Sequence, residues 1–81
     1  MRYVFNYPVT VPVATEDGNL GRLRFGCGET IVAVNSAFDF VDGQRVLNLE
    51  LADGSILIHV PAVALRYEGT VAGTAVRPVL I

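Results

Sequence analysis

Glycine and proline punctuate almost the whole of this chain. There are eight glycines and four prolines. The one long stretch free of both is Glu29 to Asp42. Proline removes a backbone donor and glycine loses the most conformational entropy on ordering, so both punctuate regular structure. Between the breaks the apolar residues mostly alternate and β-branched residues are common. That pattern belongs to short strands joined by turns every eight to twelve residues.

Walking the chain makes the strands concrete. Tyr3, Phe5 and Tyr7 share one face of a first segment, and Val9, Val11 and Val13 share one face of the next. Pro8 and Pro12 place this region at a sheet edge or in an extended arm, because proline cannot donate to a ladder. Glu16-Asp17-Gly18-Asn19 is a polar turn. Leu23 and Phe25 then face one way, Arg22 and Arg24 the other. Gly26-Cys27-Gly28 is a tight connection, and Glu29 to Val34 reads as a strand buried on both faces.

Asn35 to Asp42 carries two signals. Ile31, Val34, Phe38 and Val41 have helical spacing, while Phe38-Asp39-Phe40 alternates. The β-branched run Thr30-Ile31-Val32 decides for strand. A hairpin follows. Leu47, Leu49 and Leu51 share a face, Asp53-Gly54 marks a two-residue turn, and Ile56, Ile58 and Val60 share a face of the return strand. Asp42-Gly43 marks another such turn. A helical or 3-10 turn is expected near 61–66, between Pro61 and Gly69.

Length selects among all-β architectures. The chain has 81 residues, a single domain. A two-sheet immunoglobulin-type sandwich needs about 100 residues. The economical solution is a small SH3-like or OB-like barrel of five to six short antiparallel strands. Its parts are an N-terminal strand or arm over 1–13, a barrel core over 20–67 and a C-terminal strand or arm over 74–81.

Composition then limits function. Apolar residues make up 52% and charged residues 17%, with net charge −2, which excludes disorder. All six basic residues are arginine, and the chain is acidic overall, with a pI near 5.1. A charge-driven nucleic-acid or anionic-membrane binder needs a clustered basic footprint, so neither partner is expected. One cysteine forms no disulfide within the chain, and one histidine with one cysteine does not supply a structural zinc site. No metal or cofactor is expected. A folded monomer this small buries only about 60% of its unfolded chain's surface. Without covalent or metal staples, association with other subunits is the remaining source of stability.

Candidate chemistry is sparse. Cys27 between two glycines can become reactive if amide groups face it, and His59 is the single histidine that could serve it as a base. A thiol-dependent enzyme built on Cys27 and His59 is the weakest of the functional readings. Gly26-Cys27-Gly28 lacks the third glycine and the following helix of a dinucleotide loop. The acidic turn at 16–19 lacks the ligands of a calcium loop.

The apolar surplus lies towards both ends, which makes Tyr3, Phe5, Tyr7, Val9, Val11, Val79, Leu80 and Ile81 the candidate interface, through strand addition to this or a neighbouring chain. The expectation is a non-enzymatic structural or interaction subunit that self-associates as a homo-oligomer or decorates a larger assembly such as a virion. The alternative is a small acidic inhibitor or regulator of a host protein. With no leader-like or membrane-spanning pattern, a cytoplasmic product is expected, one that can be incorporated in a virion.

Overall fold

The computed structural model describes residues 1–69. They form a single antiparallel sheet of seven strands: β1 Arg2–Phe5, β2 Val9–Ala14, β3 Leu20–Phe25, β4 Thr30–Val41, β5 Gln44–Leu51, β6 Ile56–Pro61 and β7 Leu65–Tyr67. A 3-10 turn, Ala62–Ala64, joins β6 to β7. The spatial order is β3-β2-β6-β5-β4-β1-β7. The all-β class, the strand over 35–41 and the short helical turn are as read from sequence. The described residues hold seven strands, however, rather than five to six, because the chain before Gly18 and the three residues after the 3-10 turn contribute full strands.

The sheet covers its own face. Phe5 on β1 stacks on Phe25 on β3, with ring centroids 4.4 Å apart and planes 9° from parallel. Around this stack Val11, Val13, Ile31, Ala33, Leu49, Leu57 and Val60 form the core. Phe5, Val11, Leu49, Leu57 and Val60 have 1% or less of their surface exposed.

The N-terminal segment is therefore not an arm. β1 lies between β4 and β7, and β2 between β3 and β6. Pro12 is tolerated inside the sheet because β6 reaches only Val13 and Ala14 of β2. On that side Pro12 has no ladder partner to lose. The 74–81 segment lies outside the described residues.

The turns follow two designs. Between β4 and β5, Asp42 and Gly43 both take positive φ, 52° and 80°, forming the two-residue hairpin that the sequence indicates. Between β5 and β6 the loop is longer. Gly54 N–H donates to Leu51 C=O at 3.0 Å, and Leu51 N–H to Ser55 C=O at 2.8 Å, with only Gly54 left-handed. The β2–β3 turn repeats that pattern, with Gly18 in Gly54's role. In each, a hydroxyl donates to an aspartate: Thr15 to Asp17, and Ser55 to Asp53 at 2.5 Å.

Two bulges set which side chains face inward. Opposite the span from Leu47 to Leu49, β6 uses one extra residue between Leu57 and Val60. His59 absorbs it in a left-handed conformation, φ 54°, and its N–H donates to the Asn48 side-chain oxygen at 2.9 Å. The alternation expected for β6 breaks here. Leu57 and Val60 are buried, while Ile56 is 38% exposed, instead of Ile56, Ile58 and Val60 sharing the core face. The second bulge lies between Ala33 and Asn35 on β4. Val32 and Val34 are about half exposed, at 47% and 59%. β4 is thus not buried on both faces, because the curled sheet covers only its inner side.

Two outcomes follow from these contacts. Asn48→Ala should destabilise the fold by about 0.5–1 kcal/mol by removing the hydrogen bond that holds the bulge. His59→Gly should stabilise it by about 0.5–1 kcal/mol by relieving the left-handed strain. Both are read by urea unfolding. The turn aspartates add a pH dependence. The Thr15 hydroxyl, then the Asn19 N–H, hold Asp17 below the usual carboxylate range, and the Ser55 hydroxyl and N–H do the same for Asp53. A depressed folded pKa contributes stability above the unfolded value, and that stability is lost as pH falls through the folded one. The urea midpoint should drop below about pH 4, and Ser55→Ala should remove part of that drop.

Candidate protein-interaction surface

The sequence-selected residues divide by their place in the fold. Tyr3, Phe5 and Val11 are buried in the chain's own core, and Val9 packs against it. Tyr7 follows the end of β1 and is 42% exposed. Val79, Leu80 and Ile81 lie outside the described residues. Tyr3 and Phe5 read equally as a core stripe or an intersubunit stripe, because sequence alone does not reveal that β1 is threaded between two other strands.

Cys27 and His59 have separate surroundings. The exposed Cys27 thiol donates to the Asn6 carbonyl at 3.2 Å, in a turn where Glu29 N–H bonds Gly26 C=O. His59 is an exposed bulge residue whose backbone is held by Asn48. No hydrogen bond joins the two. Among the described residues no three His, Cys, Asp or Glu side chains gather into a metal-binding group.

What the fold builds instead is an aromatic surface. The β4 bulge restores inward orientation to Ser36, Phe38 and Phe40, continuing the side on which Ile31 and Ala33 face the core. Ser36 confirms the direction, since the Tyr3 hydroxyl lies 3.4 Å from its oxygen. The β4–β5 hairpin then runs past the layer that covers it. Phe38 is left 53% exposed and Phe40 63% exposed, meeting edge to face at 6.0 Å. Arg45, opposite Phe40 in the ladder, lays its guanidinium 4.6 Å from the centre of the Phe38 ring.

β7 forms the facing wall. Tyr67 is 55% exposed and meets Tyr3 edge to face at 5.4 Å. Between the walls lies a groove of about 400 Å³, lined chiefly by Tyr3, Phe38, Arg45, Leu47, Leu65 and Tyr67. Aromatic faces beside one cation suit the binding of apolar or aromatic side chains. Sequence reasoning passed over Phe38 and Phe40 because alternation indicates which face a residue takes, not where the covering layer stops. The available signal was two alternating phenylalanines, with Val41 after them, leading into the Asp42-Gly43 turn.

Comparison with known protein families, curated proteins and solved structures gave no match.

The groove aromatics should separate from the core aromatics in unfolding experiments. Phe40→Ser should change the unfolding free energy by less than about 1 kcal/mol, as a surface substitution does. Phe5→Ala should cost about 3–5 kcal/mol by opening a cavity at the Phe25 stack. Denaturant titration of both variants makes the comparison.

Proposed function

We propose that this chain is a non-enzymatic structural subunit that works by protein–protein association, first of all with copies of itself. The observation that carries the reading is the uncovered end of the β4–β5 hairpin. Phe38 and Phe40 lie on the core side of their strand, yet each keeps more than half of its surface in water. Isolated exposed apolar residues are ordinary, but aromatic rings gathered around a groove mark interaction surfaces. The arginine-only basic set agrees, since arginine is enriched and lysine depleted at interfaces.

We further infer that the curled sheet is a variant of the small SH3-like or OB-like barrel, supported by the Phe5–Phe25 stack that draws β1 against β3. A repeating particle such as a virion is a setting in which so small a domain gains from its neighbours, and the proposal extends to that role.

Native mass spectrometry and sedimentation velocity test the association. The full chain at tens of micromolar should form concentration-dependent oligomers. The Phe38→Ser, Phe40→Ser double variant should shift towards monomer while keeping its far-ultraviolet spectrum. A folded wild-type chain that stays strictly monomeric would overturn self-association.

A further inference from the structure

The sheet has two end strands, and they differ in a way that selects a partner. Among the described residues β3 closes one end and β7 the other, and each is paired on one side only. An open strand edge is a template for a second strand unless its side chains prevent it.

On β3 they do. Pairing two copies of β3 antiparallel about Leu23 sets Arg22 of each copy opposite Arg24 of the other. Pairing about Arg22 sets that arginine opposite itself. Like charges directly opposite one another disfavour both registers.

On β7 the pattern is reversed. Asn6 N–H donates to Ala64 C=O, and Glu68 N–H to Arg2 C=O, both at 2.8 Å. Residues 64 and 68 thus turn their backbone groups towards β1. By strand alternation Leu65 and Tyr67 turn theirs to the open edge. Arg66 and Glu68 share the face opposite the groove, with their side chains 59% and 37% exposed, and form an ion pair at 3.0 Å.

We propose that a second copy of this chain pairs antiparallel along β7, with the two-fold axis at Tyr67. This rests on the self-association reading and adds a second contact between copies, beside the one at Phe38 and Phe40. In this register the two Tyr67 residues exchange N–H and C=O bonds. Arg66 of each copy stands opposite Glu68 of the other. With the existing ion pairs, four charges alternate in sign around the axis. The neighbouring register, about Arg66, sets that arginine against itself, so the charges also fix the alignment. On the other face the two Tyr67 rings meet, and the grooves of both copies open onto one shared surface. A two-fold contact of this kind closes after two subunits.

Charge reversal in the full chain is the test, read by sedimentation equilibrium with thermal unfolding as the fold control. Arg66→Glu and Glu68→Arg should each raise the dimer dissociation constant at least about tenfold, because each turns two facing attractions into repulsions. Combining the two reversals should restore wild-type association, since the alternation returns with its signs exchanged. If either single variant fails to fold, the folded double variant and the wild type should both dissociate as salt is raised. Wild-type oligomers that ignore both reversals and salt would overturn this interface, leaving self-association to run through another surface. The same insensitivity is expected if residues 70–81 of the same chain occupy the edge. A wild-type chain that is monomeric throughout would overturn both proposals.

Discussion

The stacked rings of Phe5 and Phe25 hold this structure together. The described residues form one sheet with no helix layered on it, so that sheet buries its own face. The stack draws a strand from near one end of the sheet against the strand that forms its other end. Val11, Leu49, Leu57 and Val60 pack into the space so enclosed. Without that contact the inner face of β2, β5 and β6 would lie open to water.

The same economy leaves the aromatic surface uncovered. β4 is the longest strand, and its first residues pair with β1 while its later ones pair with β5. The covering layer ends near Tyr3 and Tyr67, but the β4–β5 hairpin continues. Its inward side chains therefore pass from core to surface along one face, from Ile31 and Ala33 through half-buried Ser36 to Phe38 and Phe40. The groove is what remains between a hairpin that overshoots and a β7 that stops. Core and exposed aromatic surface are two parts of one continuous apolar face.

Legibility from sequence followed interaction range. Asp42-Gly43 was readable because positive φ at both positions is a local property of those residue types. The β5–β6 hairpin was readable from its alternation, although its loop proved longer than the Asp-Gly pair implied. The facing of Ile56 and Ile58 was not readable. It depends on the extra residue at His59, which is held by a hydrogen bond from eleven positions away in the chain. The candidate site was mostly illegible for a related reason. Tyr3 and Phe5 look like Phe38 and Phe40 in sequence, each an aromatic alternating with another residue. Only the position of neighbouring strands buries one pair and leaves the other in water.

The sequence by itself determined that this is a β protein of short strands, where its turns lie, and that no disulfide within the chain staples it. Those properties follow from backbone preferences and composition, which act over a few residues. The tertiary structure decided which faces point inward, that the N-terminal segment is two internal strands, and which aromatic rings stay uncovered. Those outcomes depend on bulges that reverse strand parity and on where one layer ends over another, and both are set by contacts between residues far apart in the chain.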